Sequence, residues 1–164
     1  MPNPFNPPST ITTYPFNVSL MAENTVLAYI SSSYYNTGLL DPATQFYTGV
    51  GNSDIEGPAI VVACNHAAEA VFQSRVYRFD VDISTRMMAA DSLVSPNVTS
   101  SAISFGGQIY SLFGETYSSC GGMNALETGL ACIQAQVMDF RNERIQDAWI
   151  SNLNLSLVAV PVSH

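Results

Sequence analysis

The chain has 164 residues, 47% of them hydrophobic, with 13 Asp and Glu against 5 Arg and a formal net charge of -8; Lys is absent. A length near 160 favours one domain and allows roughly 70% of the unfolded chain's surface to be buried, while the composition is too apolar for intrinsic disorder. An acidic surface without Lys argues against a protein that grips a phosphate backbone or an anionic membrane, and apolar runs well short of the roughly 18 residues that span a bilayer predict a soluble globular protein.

The opening MPNPFNPPST has neither a basic region nor an apolar stretch, so no signal peptide is read there and synthesis in the cytoplasm is expected. Residues 1–18 carry Pro2, Pro4, Pro7, Pro8 and Pro15 among Asn, Ser and Thr. Proline fixes φ and pushes its predecessor toward extended conformations, so an extended arm is predicted, with Phe5, Tyr14 and Phe16 as aromatic anchors. The folded domain is expected to run from 19 to 164.

From Ser19, a plausible N-cap, Leu20, Leu27, Ile30 and Tyr34 fall near one face and predict a short helix ending in the serine run 31–33. Phe46 to Thr48 reads as a small strand and 49–58 as a loop tip. Ala59 to Cys64 is a continuous apolar run, the pattern of a strand covered on both faces and the candidate centre of a sheet. Tyr77, Phe79, Val81 and Ile83 alternate with Arg78, Asp80, Asp82 and Ser84, which predicts a strand with one apolar and one charged face.

A long second helix is predicted from Ser95 and Pro96, carrying Val98, Ala102, Phe105, Ile109, Leu112 and Phe113 on one stripe. Gly106 and Gly107 interrupt it at about 1 kcal/mol each, a cost that close packing against a neighbour would explain. Cys120, Gly121 and Gly122 read as a loop. Ile133, Ala135 and Val137 then oppose Gln134 and Gln136, and after the polar link 141–144 Trp149, Leu153, Leu155 and Leu157 oppose Asn152, Asn154 and Ser156: an antiparallel pair. The order predicts a single α+β domain, a twisted, mostly antiparallel sheet with one long and one short helix on one face. The other face would be broad and polar.

Signals for chemistry are weak. The stretch 49–54 lacks the third glycine of a dinucleotide fingerprint, no Lys exists for a phosphate-binding loop, and no nucleophile elbow occurs. Three Cys are an odd number and too few for a disulfide framework, and three Asn-x-Ser/Thr triplets, at Asn17, Asn97 and Asn154, are set aside in a chain without a secretion signal. Cys64 and His66, two apart, would share a face of a strand and could pair a thiol with a base. With Cys120 and Cys132 they could make four zinc ligands, although the spacing matches no compact zinc knuckle. Asp80 and Asp82 could serve acid/base chemistry or a divalent cation. Arg78 and Arg86 on the same face favour a charge ladder instead. No cofactor and no metal is expected.

Three stretches, in their order along the chain, resemble the tail terminator or tail-completion proteins of long-tailed bacteriophages. They are Tyr47-Thr48-Gly49-Val50-Gly51 leading to Pro58-Ala59-Ile60-Val61-Val62, the strand Tyr77 to Ile83, and Asp147-Ala148-Trp149-Ile150-Ser151-Asn152-Leu153-Asn154-Leu155. The resemblance implies a non-enzymatic virion protein of the tail or neck. It would form a homo-oligomeric ring, usually of six copies, that ends the tail tube and joins it to a head-completion or neck protein. DNA would pass through as transient cargo, and no membrane would be involved. Six copies at -8 each would carry -48, and an acidic channel repels phosphates at close range. On this reading Asp80 and Asp82 line the channel or a subunit contact, Arg78 and Arg86 pair between subunits, Arg141 and Arg144 are further candidates for the channel or the subunit interface, and the arm reaches a neighbouring ring. Another neck or tail component, such as a head-completion or tube protein, is the alternative, with a Cys/His-dependent enzyme behind it.

Overall fold

The computed structural model describes residues 9–37, 45–49, 58–70, 73–88, 106–114, 116–145 and 148–162. Three helices are described: α1, Ser9–Thr37; α2, residues 106–112; and α3, Thr116–Asn124. Five strands, β1 (Gln45–Thr48), β2 (Ala59–Glu69), β3 (Tyr77–Met88), β4 (Leu130–Ile145) and β5 (Ala148–Pro161), form one sheet in the order β1-β2-β3-β5-β4. The β1–β2 pair is parallel and the other three pairings are antiparallel. The α+β class and the mostly antiparallel sheet agree with the sequence patterns.

Alternation decides which face becomes core, because successive side chains of a strand point to opposite sides. In register across the sheet, Val62, Ile83 and Leu153 form one buried row, and Cys64, Val81, Leu155 and Val137 the next. A third row holds Ala67, Phe79, Leu157 and Ala135. The α1 residues Val18, Ala22, Val26, Tyr29 and Ile30 recur at spacings of three and four and belong to the same core, as do Ile109 and Phe113 of the α2 segment and Met123 of α3. β2 is buried on both faces only at its start, where Ala59 and Val61 make a small second cluster. The sheet's centre is β3 rather than β2.

The helices depart from expectation in three ways. First, α1 begins at Ser9, so residues 9–18 are helical and not extended, and Ser19 lies inside the helix. Pro15 removes one backbone donor without ending it. The arm reading is left to residues 1–8, including Phe5, which lie outside the described residues; Tyr14 and Phe16 fall on α1, with side chains outside the description. Second, the buried stripe of α1 runs through Val18 and Ala22, leaving Leu20 49% exposed; Tyr34 lies outside the described side chains. Third, the segment read as a loop around Cys120 is helix α3. The start of the long second helix, from Ser95, lies outside the described residues.

Two glycines explain how the helices come so close. A Cβ on Gly106 would stand 2.6 Å from the Cβ of Ser151 on β5, so α2 can rest on the strand only without one. Gly107 has open space and no such reason. A Cβ on Gly122 would stand 2.3 Å from the Tyr29 ring, which itself meets Phe113 edge-on at 5.4 Å and donates its hydroxyl to the Leu112 carbonyl at 3.3 Å. Burial pushes the Tyr29 hydroxyl's pKa above its ordinary value. Cys120 and Cys132 are joined by a disulfide between α3 and β4, with Cα atoms 5.1 Å apart.

A bulge between Cys64 and His66 is tied to α1 through Cys64. The Cys64 N–H donates to a carboxylate oxygen of Glu23 at 2.9 Å. Glu23→Ala is expected to cost about 1–3 kcal/mol, the range for leaving a part-buried donor without an acceptor. Glu23→Gln, which keeps an acceptor, should lose less. Equal losses for the two variants in urea unfolding would contradict this role.

Candidate interface on the polar face of the sheet

The face opposite the helices is assembled by register. Asp80 stands between His66 of β2 and Ser156 of β5, with Gln136 of β4 beyond. In the adjacent row Asp82 lies between Ala63 and Asn154, followed by Asp139; one row further, Ser84 and Asn152 are followed by Arg141. Arg86 lies opposite Ala59 and Ile150, and Arg78 opposite Ala68 and Val158. The sequence alternation therefore places Arg78, Asp80, Asp82 and Arg86 on one face of β3, as expected.

The two carboxylates are half-buried and share one donor. The Asn154 amide donates to Asp80 at 2.5 Å and to Asp82 at 2.8 Å, and Asn65 donates to the second oxygen of Asp82. Ser84 donates to the Asn152 side-chain oxygen at 2.7 Å. Carboxamides thus hold the carboxylates in fixed positions, and fixed charges repel or pair with a partner without first being ordered. Arg141 pairs with Asp139 of its own strand at 3.1 Å, both well exposed; such a pair contributes little to folding. Arg78 is exposed and Arg86 half-buried. The Arg144 side chain lies outside the described residues.

At one end of this face lies a groove of about 470 Å³. His66, Arg78, Asp80, Asn154 and Met138 are among its lining residues. Asn65 and His66 were not singled out for this face. Asn154 has a readable signal, since it alternates with Leu153 and Leu155, whereas Asn65 and His66 arrive here through the bulge.

That bulge also overturns the thiol–base pairing. Cys64 pairs with Val81 on the core side and His66 with Asp80 on the polar side, because the irregularity at Asn65 shifts the alternation by one residue. The Cys64 thiol is pushed up in pKa by burial above all, with Ser19 and the His66 carbonyl partly offsetting it. A half-buried thiol whose pKa is raised is a poor nucleophile. The four-ligand zinc reading fails as well: Cys120 and Cys132 bond to each other, and no group of three or more potential metal ligands occurs among the described residues. No described helix is long and apolar enough to cross a membrane.

The sequence matches no protein-family model and no curated protein. Among solved structures, it is similar to a chain described as "Virion of native gene transfer agent (GTA) particle", at 13% identity and a TM-score of 0.46, over 86% of this chain and 94% of that chain.

Proposed function

We propose that this chain is a structural virion protein of tailed-phage type and acts without making or breaking bonds. In this reading copies assemble into a ring, six being the expected number, that ends a tail tube and meets a head-completion or neck protein on its other side. Its partners are a tail tube protein, a neck protein and further copies of itself, and DNA passes as cargo.

The observation that carries the reading is the two-sidedness of the sheet. One face is closed by helices and holds the core; the other displays Arg78 and Arg86 together with Asp80 and Asp82 and the carboxamides that hold these two. A surface of fixed, mixed charge suits recognition of a like surface on the next subunit, where complementary charges set register more than affinity. The excess of negative charge suits a channel wall that does not hold DNA. The order of the three tail-terminator-like stretches supports the same assignment.

The test is mass in solution. Light scattering over a range of protein concentrations should find a closed oligomer, and incubation with purified tail tubes should place it at one end. A chain that stays monomeric at the highest concentration and does not attach to tubes would rule the assignment out.

A further inference from the structure

We propose that Cys120 and Cys132 form a redox-gated clamp that holds α3 against the edge strand β4 when oxidised and frees it when reduced. This goes beyond the structural role above and does not depend on it.

Three observations converge on this place. The disulfide joins the middle of α3 to the start of β4, and both cysteines are 7% exposed. Next to it Asn124, the last residue of α3, holds the backbone of Cys132 on both sides: its oxygen accepts from the Cys132 N–H at 2.6 Å and its amide donates to the Cys132 carbonyl at 3.1 Å. Finally, the connection between the two elements is short and carries Glu127 and Gly129 at positive φ, 52° and 98°. Besides the disulfide and Asn124, the helix is held by the burial of Ser119 and Met123. It spans 9 residues, too few to persist by itself in water.

What α3 covers makes its release consequential. Met123 is fully buried, and Gly122 sits against the Tyr29 ring, so freeing α3 uncovers apolar surface of α1 and β4. Cys132 also immediately precedes a bulge that leaves Ile133 56% exposed, so the clamp fixes the backbone from which this irregularity starts.

The chemistry is ordinary thiol–disulfide exchange. One protein thiolate attacks a low-molecular-weight disulfide of the glutathione type and releases one small thiol. The second protein thiolate then attacks the mixed disulfide, closing the Cys120–Cys132 bond and releasing the other small thiol. Two protein thiols are oxidised and one small disulfide is reduced to two small thiols. The reverse reaction opens the clamp.

The experiment equilibrates the full chain in buffers of varied glutathione and glutathione-disulfide ratio, quenches with an alkylating reagent, and maps modified cysteines by mass spectrometry. Parallel samples are followed by hydrogen exchange. Cys120 and Cys132 should pass together from both alkylated to both protected, with Cys64 outside the transition. Amides of α3 should exchange at least about tenfold faster in the reduced protein, while those of β3 and β5 keep their protection. Because Cys120→Ser/Cys132→Ser could fail to fold, reversible reduction of the unaltered chain is the primary measurement and the variant only its complement. Failure to protect the pair under any oxidising ratio, or equal α3 exchange in both states, would overturn the proposal.

Discussion

Phe79→Ala should lower stability by about 3–5 kcal/mol, the usual cost of deleting a fully buried aromatic side chain and leaving a cavity. Phe79 has no exposure and lies on β3, the middle strand, between Ala67 and Leu157 in register, with the Tyr77 ring stacked at 6.1 Å. Strands on both sides prevent the site from collapsing around the missing ring. Against a total of about 5–15 kcal/mol for a domain, this is a large fraction. The urea midpoint should drop sharply with an unchanged slope, because the surface exposed on unfolding stays nearly the same. A loss below about 1 kcal/mol would mean that the core is not organised around this strand.

The second large effect concerns assembly, not folding. Asp80→Lys combined with Asp82→Lys changes the formal charge by four units, from -8 to -4, and removes both acceptors of the Asn154 amide. The carboxylates lie on the face away from the core, so the double variant should still fold, and its circular dichroism should match that of the unaltered chain. Oligomer formation and attachment to tail tubes should be lost, since reversed charges at fixed positions turn matched contacts into repulsive ones. Asp80→Asn with Asp82→Asn, which preserves shape, should show an intermediate defect. Normal assembly of the lysine variant would take both residues out of the interface.

Why some of this was legible in the sequence and some not comes down to periodicity. β3 and β5 alternate without interruption, so Phe79, Val81, Leu153 and Leu155 announce the core face and Asp80, Asp82 and Asn154 the other. β2 and β4 each break that rhythm with bulges, and a period of two cannot report a shift it does not contain. His66 was thereby placed beside Cys64 when it belongs with Asp80, and Ile133 was read as core when the pairing skips it and Cys132 takes the buried position. Helix α3 was hidden by Gly121 and Gly122, which read as breakers. Gly122 in fact serves the approach to Tyr29, a contact far away in sequence. The start of α1 was hidden in the same way, since Pro15 counted toward an extended arm where the structure has helix.

The bulges of β4 bear also on how the protein avoids its own aggregation. β4 is the outermost strand on its side of the sheet and spans 16 residues, a length that would ordinarily invite a foreign strand to add itself and continue into a fibril. Interruptions at Ile133 and Met138 divide it into the short runs Leu130–Cys132 and Gln134–Val137 and the longer run Asp139–Ile145. The longest is also the most charged, with Asp139, Arg141, Glu143 and Arg144 along it. An incoming strand would thus meet either too few consecutive backbone groups or a row of charges. The irregularities that mislead a reading of the sequence keep the sheet finite.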